Sequence, residues 1–409
     1  MIGWQRQHGR HGLPWQNTRD PYRVWLSEIM LQQTQVSTVM TYYARFLAQF
    51  PTLIDLANAS ADAVLALWSG LGYYSRARNL HRCAQIVRDE HQGVFPASQA
   101  TLERLPGIGP STAAAIAAFC FGERVSIFDG NVQRVLARLL ASDADVSRSA
   151  GRRSLWQAAQ QLLPAAEPAA TLPDRMAAYT QGLMDLGATV CLPRQPACQR
   201  CPVVDLCRAH AQGRQQAYPF KTGKLKRTSE NWWLLALVRE VNLAGGAENA
   251  LDAATAAAGP ITCSTKSGAG KKAKPAAVRE AAGAVLPAPA LQAKAAGRLR
   301  LWLQKRPQQG IWGGLHCLPV FASEAALQQL LQQLPGVQSR VAHPAIKHVL
   351  THKDLLLHPI VVRVADDAIL PQELAGAWHA QAEWPGLGLP APVRKWLDAS
   401  FAPFALSGD

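Results

Sequence analysis

The sequence predicts two domains of different class, an all-α domain followed by an α+β domain. Between residues 20 and 190, apolar side chains recur at three- and four-residue steps, and Gly/Pro breaks separate the periodic segments. Beyond residue 230 the apolar segments are short or alternating, as in strands. A chain of 409 residues is long enough for two such cores. We place the helical domain at 1–210, a linker at 211–230 and the α+β domain at 231–409.

Each predicted element rests on its own pattern. In the first domain the helical segments are VWLSEIMLQQTQV, DAVLALWSGLGYYSRARNLHRCAQIVRDEH, PSTAAAIAAFCF, NVQRVLARLLA, RRSLWQAAQQLL and MAAYTQGLMDLGATVC. The linker is polar and basic and has no periodicity. In the second domain NWWLLALVREV, RLRLWLQKR and LLLHPIVVRV predict strands, and EAALQQLLQQL predicts a helix. A stretch at about 244–297 is rich in Ala, Gly, Lys and Pro, which predicts a disordered insertion.

The charge balance points to a polyanionic partner. The chain has 42 Lys and Arg against 28 Asp and Glu, a net charge of +14, which favours nucleic acid as partner. No apolar run reaches the length of a membrane span, and the N-terminus lacks the apolar segment of a signal peptide. We therefore expect a cytoplasmic, nucleoid-associated monomer that binds double-stranded DNA and no membrane.

Four of the eight cysteines are clustered. The segment CLPRQPACQRCPVVDLC spaces them as C-x6-C-x2-C-x5-C, and four thiolates can hold either Zn or an iron–sulfur cluster. Zinc sites more often pair two C-x2-C knuckles, so this array favours one [4Fe–4S] cluster, although spacing alone leaves the metal open. The expected ligands are Cys191, Cys198, Cys201 and Cys207. The other four cysteines, Cys83, Cys120, Cys263 and Cys317, are scattered and are interpreted as small core side chains.

Two further segments could contact a phosphate and a sugar. In LPGIGPSTA, Gly107 and Gly109 separate two helical segments, and such a hairpin lets backbone N–H groups meet a phosphate without a Cβ clash. A helix C-cap would explain half of this pattern. In FDGNV, Asp129 precedes a helix, where it is either a simple N-cap or a carboxylate held for chemistry.

Glu28 lies on an apolar helical face. The segment begins after Asp20-Pro21, an N-cap followed by proline at the first helical position. Helical spacing places Glu28 with Val24 and Leu31. Such an acid is often solvated or paired with Arg. If it is instead buried, its pKa rises and it can keep a proton near neutral pH.

Together these motifs carry a family resemblance. The hairpin, FDGNV and the cysteine array resemble the helix-hairpin-helix DNA glycosylase superfamily with its iron–sulfur loop. LPWQ, DPYRVWLSEIMLQQTQV, LWSGLGYYSRARNLH and MDLGA resemble the bacterial A/G-specific adenine DNA glycosylase family. LQKRPQQGIWGGLHCLP and KHVLTHKDLLLHP are similar to its C-terminal Nudix-like domain. The resemblance implies a base-excision-repair enzyme that flips out and hydrolyses adenine mispaired with 8-oxoguanine or guanine, and so prevents G:C to T:A mutation.

The resemblance also implies roles for individual residues. Glu28 would protonate the leaving adenine, and Asp129 would stabilise the oxocarbenium-like sugar or activate water. The remaining roles fall into three groups: Ser111 and Asn131 support the sugar and Asp129; Trp15, Gln16, Leu31 and Gln181 line the adenine pocket; and Gln33, Tyr73, Gly107, Gly109, Thr351 and His352 contact DNA on the 8-oxoguanine side.

The chain departs from the family pattern, and rival interpretations exist. The loop that commonly reads Phe-Ser-His is Leu350-Thr351-His352 here, which keeps the hydroxyl and loses the aromatic ring. The segment SEAALQQLLQQLPG has one acid, so we expect no Mg²⁺-dependent nucleotide hydrolysis. An endonuclease III-like glycosylase/lyase would carry a nucleophilic Lys where Ser111 stands. A non-catalytic DNA damage-binding module would have little need of both Glu28 and Asp129.

Overall fold

The computed structural model describes residues 1–223, 227–241 and 299–401. The predicted disordered insertion and Cys263 lie outside the described residues. The helices of the first domain are α1 (Ile2–His8), α2 (Pro21–Leu31), α3 (Val36–Gln49), α4 (Leu53–Asn58), α5 (Ala61–Trp68), α6 (Ser75–Glu90), α7 (Gln99–Leu102), α8 (Pro110–Phe121), α9 (Gly130–Leu139), α10 (Ser149–Gln161), α11 (Leu172–Thr189) and α12 (Arg208–Ala211). In the described part of the chain no helix is both long and apolar enough to span a bilayer.

The start of α2 follows the capping chemistry read from the sequence. The Asp20 side chain accepts a hydrogen bond from the Tyr22 N–H at 2.9 Å, and Pro21 occupies the first helical position, where its missing N–H costs nothing. This start orients the helix so that Trp25, Leu26 and Met30 are fully buried. The helix ends at Leu31, and residues 32–35 form a turn before α3.

Helix α8 lies at the centre of the first domain. Its residues Ala113, Ala114, Ala115, Ala117 and Ala118 are all fully buried. Small side chains let neighbouring helices approach closely, and α8 packs against both α2 and α11, while α11 packs against α9. The helix that carries Glu28 and the helix that follows Asp129 are thereby brought near one another.

The second domain contains a mixed eight-stranded sheet within the described residues. Its strands are β1 (Thr228–Glu240), β2 (Leu299–Lys305), β3 (His316–Cys317), β4 (Val320–Phe321), β5 (Val337–Ala342), β6 (Ile346–Val349), β7 (Lys353–Val364) and β8 (Ala377–Ala380), and its helices are α13 (Glu324–Gln333) and α14 (Ala391–Phe401). The main path runs β3-β2-β1-β7-β5, with β4 beside β1, β6 beside β7 and β8 beside β2. Strands β1 and β7 are parallel over eleven residue pairs, and the other pairs are antiparallel.

The two domains share a packed interface. One face of the sheet forms a core with α13, and the other joins a core that includes helices of the first domain. Across the interface the Ser69 hydroxyl donates to the Leu389 carbonyl at 2.8 Å, and the Tyr74 hydroxyl donates to the same carbonyl at 3.2 Å. Arg78 donates to the Gly313 carbonyl at 2.5 Å. The loop that precedes α6 is therefore held by the second domain.

Candidate active site

A cavity of about 340 Å³ opens between the N-terminal segment, α2 and α11. This volume lies within the range of small-molecule pockets in proteins. All four residues predicted for the adenine pocket line it, namely Trp15, Gln16, Leu31 and Gln181. Glu28 lines the same cavity. The structure therefore brings the candidate acid and the candidate base-binding residues to one place.

The Glu28 carboxyl is held in its protonated form. Burial, and secondly the nearby Asp129 charge, raise its pKa to about 8. No cation in the described part of the chain contributes to this shift. Among the described residues Glu28 has no Arg partner, and its half-buried side chain faces the cavity.

Asp129 is the N-cap of α9. Its carboxylate accepts a hydrogen bond from the Val132 N–H at 2.7 Å. Burial raises the pKa of Asp129, while hydrogen bonds from the Val132 and Asn131 backbone and the charge of Arg134 lower it. Asp129 is not among the residues that line the cavity, although its charge acts on Glu28. The N-cap interpretation and a chemical role are compatible, because an N-cap holds a carboxylate at a fixed position.

The two predicted support residues both hold the turn that contains Asp129. The Ser111 hydroxyl accepts a hydrogen bond from the Phe128 N–H at 2.9 Å. The Asn131 amide oxygen accepts from the Arg134 guanidinium at 2.9 Å, and Arg134 also donates to the Gly187 carbonyl at 2.7 Å. The turn is thus tied to α8 on one side and to α11 on the other.

An ion pair that the sequence did not reveal closes one wall of the cavity. The Asp185 carboxylate, 1% exposed, accepts from the backbone N–H and the Nε of Arg10 at 2.9 and 2.7 Å and from the Gln181 amide at 2.8 Å. Because Arg10 and Asp185 lie 175 residues apart, no local pattern pairs them. In the same wall the Gln16 amide nitrogen is buried and has no hydrogen-bond partner among the described residues, so a donor is available to a ligand.

The residues predicted to contact DNA on the 8-oxoguanine side lie on a neighbouring surface. Gln33, Tyr73 and Gly107 line a second cavity of about 240 Å³. Tyr73 is 43% exposed, and its hydroxyl lies 2.8 Å from the Thr351 hydroxyl of the second domain. His352 follows on the same turn and is exposed. Two residues from different domains thus meet at one edge of the protein surface.

Glycine is present at the two hairpin positions for different structural reasons. Gly107 has φ +79°, and a Cβ there would lie 2.8 Å from the Asn79 Cβ, so glycine is required by the protein itself. Gly109 caps α8 with φ −84°, and a Cβ there would have no atom of the described chain within 4 Å. The missing side chain at Gly109 instead leaves the surface before the helix open, where a phosphate could approach.

The four clustered cysteines line a single apolar cavity beside α9 and α11. The Arg138 guanidinium lies 3.4 Å from the Cys191 sulfur and donates to the Leu192 and Pro193 carbonyls at 2.7 and 2.8 Å. Within the described residues no three His, Cys, Asp or Glu side chains converge closely enough to hold a single metal ion. The thiols therefore surround a shared space without meeting at one point.

Comparisons with known proteins agree with this geometry. The description "HhH-GPD superfamily base excision DNA repair protein" matches residues 26–161, and a NUDIX domain matches residues 292–399. An adenine DNA glycosylase of Buchnera aphidicola subsp. Baizongia pistaciae is 29% identical over 398 residues, which cover 97% of this chain and 94% of the relative. An adenine DNA glycosylase from Rattus norvegicus is 46% identical over 231 residues, which cover 54% of this chain and 43% of the relative. Over nearly its whole length the chain is similar to adenine DNA glycosylases.

The two candidate carboxylates and four of the six residues predicted for the 8-oxoguanine side fall in the first matched region, and the other two fall in the second. Glu28 and Asp129 lie within the HhH-GPD match, whereas Thr351 and His352 lie within the NUDIX match. The predicted fold class, a helical glycosylase domain followed by a Nudix-like α+β domain, is therefore confirmed. A solved structure of a thermostable thymine-DNA glycosylase also aligns, with a TM-score of 0.46 and 26% identity, and covers 52% of this chain and 93% of that chain.

Proposed function

We propose that this protein is a monofunctional adenine DNA glycosylase that removes adenine opposite 8-oxoguanine or guanine in duplex DNA. The observation that carries the proposal is the half-buried carboxyl of Glu28, whose pKa is raised to about 8, on the wall of a ligand-sized cavity. A simple DNA-binding module does not require a protonated acid on the wall of such a cavity. The homology to adenine DNA glycosylases over most of the chain supports the same reaction.

The first step is protonation of the base. A base inside a duplex is out of reach, so the adenosine must flip out before its glycosidic bond meets the cavity. Neutral adenine leaves the sugar more readily than its anion, so a proton must reach the ring as the bond breaks. Glu28 would donate that proton. The Trp15 ring, 8% exposed, would pack against the base, and the free Gln16 amide would donate to one of its acceptor atoms.

The second step is hydration of the sugar. Departure of adenine leaves an oxocarbenium-like sugar, which a nearby carboxylate stabilises. Asp129 would take this role and would accept a proton from the attacking water. Ser111 stands where a lyase would place its nucleophilic Lys, and its hydroxyl is committed to the Phe128 N–H. The product would therefore be an abasic site in an intact strand.

Recognition of the opposite base is assigned to the surface around Tyr73. Gln33 and Tyr73 would enter the base stack and offset the stacking lost when adenine leaves. Thr351 and His352 would contact 8-oxoguanine from the second domain. Helix α13 contains one acid, Glu324, so the Nudix-like domain would serve recognition and not nucleotide hydrolysis.

The four clustered cysteines would hold one [4Fe–4S] cluster. The donor set fits, because four thiols border one apolar cavity beside the cationic Arg138. A tetrahedral zinc site with Zn–S bonds of about 2.3 Å needs its sulfurs roughly 3.8 Å apart. The cysteine spacing, with a single C-x2-C pair, favours the larger cluster. When bound, the cluster would supply fold stability to the loop at 191–207.

The test is single-turnover cleavage of duplexes that carry adenine opposite 8-oxoguanine, guanine or thymine, with and without alkali afterwards. We expect strand scission only after alkali, only for the two mispairs, lost in Glu28→Gln and kept in the control Glu90→Gln, an exposed acid at the end of α6. Scission without alkali would support the lyase alternative. Tight binding without cleavage would support the alternative of a non-catalytic DNA damage-binding module.

A further inference from the structure

One buried guanidinium lies beneath both loops of the 8-oxoguanine side. Arg76, the second residue of α6, is 8% exposed. Burial lowers its pKa to about 10, so it remains charged at neutral pH. Six oxygen atoms lie within hydrogen-bond distance of its two terminal nitrogens. Since these nitrogens carry four N–H groups, some of the bonds are shared.

The six oxygens belong to two separate segments of the chain. The Nη1 group donates to the last turn of α2 and the residue after it, at 2.9, 2.8 and 2.5 Å from the carbonyls of Ile29, Met30 and Gln32. The Nη2 group donates to the Thr34 hydroxyl at 3.0 Å and to the carbonyls of Leu71 and Gly72 at 3.2 Å. A single planar side chain therefore joins the loop at 32–34 to the loop at 71–73.

Each of these loops contains one residue other than glycine in the left-handed conformation. Gln33 has φ +56° and Tyr73 has φ +49°. Such conformations cost about 1–3 kcal/mol for a residue other than glycine and persist only where surrounding contacts fix them. Arg76 bonds the residues on both sides of Gln33 and the two residues before Tyr73, and its guanidinium lies 5.3 Å from the centre of the Tyr73 ring.

We propose that Arg76 is a positioning residue that fixes Gln33 and Tyr73 relative to one another, so that the two side chains enter a mismatched duplex as one rigid wedge. The proposal rests on the proposed function in one respect, that these side chains enter DNA. Arginine is required because its planar fork presents N–H groups to two segments at once, whereas lysine is a point charge with three donors.

The test is a double-mutant cycle on binding. The probe is a duplex with 2′-fluoro-adenosine opposite 8-oxoguanine, which resists cleavage because fluorine disfavours the oxocarbenium-like sugar. Arg76→Lys should weaken binding by roughly tenfold, as expected from losing one charge-assisted bond. In a Gln33→Gly/Tyr73→Gly background the Arg76→Lys change should weaken binding less than about twofold. The reason is that the two side chains that Arg76 positions have been removed. The pH profile of single-turnover cleavage should be the same in Arg76→Lys as in the wild type.

The control is Arg88→Lys on the same helix. Arg88 donates to the Ala57 carbonyl and the Asn58 side chain at 3.2 and 2.7 Å, far from both loops, and its replacement should leave binding unchanged. If Arg76→Lys fails to fold, Thr34→Val removes one acceptor of the guanidinium and should weaken binding in the same background-dependent way. An equal loss in the wild-type and double-glycine backgrounds would overturn the proposal. Because binding needs no cleavage, an inactive wild type would refute the proposed function without deciding this one.

Discussion

Replacing Glu28 by Gln is expected to stabilise the folded protein at high pH and to leave its stability unchanged at low pH. Burial raises the pKa of this carboxyl from 4.5 to about 8. A shift of this size corresponds to roughly 5 kcal/mol of free energy. Glutamine has the same shape and cannot ionise, so the variant avoids the cost of carrying a buried charge at high pH.

The direction of this pH dependence follows from the number of protons that the folded and unfolded states bind. Between pH 4.5 and about 8 the folded protein keeps a proton on Glu28 that the unfolded chain releases. The free energy of unfolding of the wild type therefore falls as pH rises through this range. Below the range both states are protonated and the two proteins should be equally stable. Above it the variant should be more stable by at most roughly 5 kcal/mol.

The assay is thermal unfolding followed by circular dichroism at pH 5 and pH 9. Each kcal/mol should move the unfolding midpoint by about 2–4 °C for a domain of this size. We expect a rise of several degrees for Glu28→Gln at pH 9, little change at pH 5, and no pH-dependent difference for Glu90→Gln. A midpoint difference that is the same at both pH values, or a variant that is less stable at pH 9, would refute the reasoning.

Three further predictions concern the surrounding structure. Arg10→Ala leaves the Asp185 carboxylate buried without its cation, so it should cost about 2–3 kcal/mol in urea unfolding and slow adenine release, and an unchanged unfolding midpoint would contradict this. Thr351→Val removes the hydroxyl partner of Tyr73 and should weaken binding to the 8-oxoguanine mispair by roughly fivefold in a titration. Equal binding by the variant and the wild type would show that this contact does not contribute to affinity. Cys198→Ser should lower the iron content and the visible absorbance of purified protein, and full iron content would remove it from the ligand set.

The parts of the fold that the sequence predicted are those with a strong local signal. Helix α8 was predicted at its observed bounds because Pro110 begins it and Gly122 ends it in a left-handed conformation. The short strands were not predicted. Strand β5, for example, is exposed along its whole length, so no apolar alternation identifies it. Strand β1 begins three residues before the predicted segment because it pairs with β7, more than a hundred residues away.

The candidate site likewise contains residues with a local sequence signal and residues without one. Helical spacing placed Glu28 on the apolar face that borders the cavity, and the family resemblance gave it the role of the acid. Asp185 and Arg76 were not identified, because their roles depend on partners that chain folding brings together. Their bonds to Arg10 and to the loop at 32–34 span 175 and about 44 residues, and a single sequence shows no such pairing.

The central claim is that burial keeps a proton on Glu28 for delivery to the departing base. The most direct measurement is the pH dependence of the single-turnover rate constant for adenine release opposite 8-oxoguanine. The rate constant should hold through neutral pH and then fall tenfold per pH unit above about 8, as the acid loses its proton. A rate constant that falls from pH 5 upward, as for an ordinary glutamic acid, or that stays level to pH 10, would contradict the account.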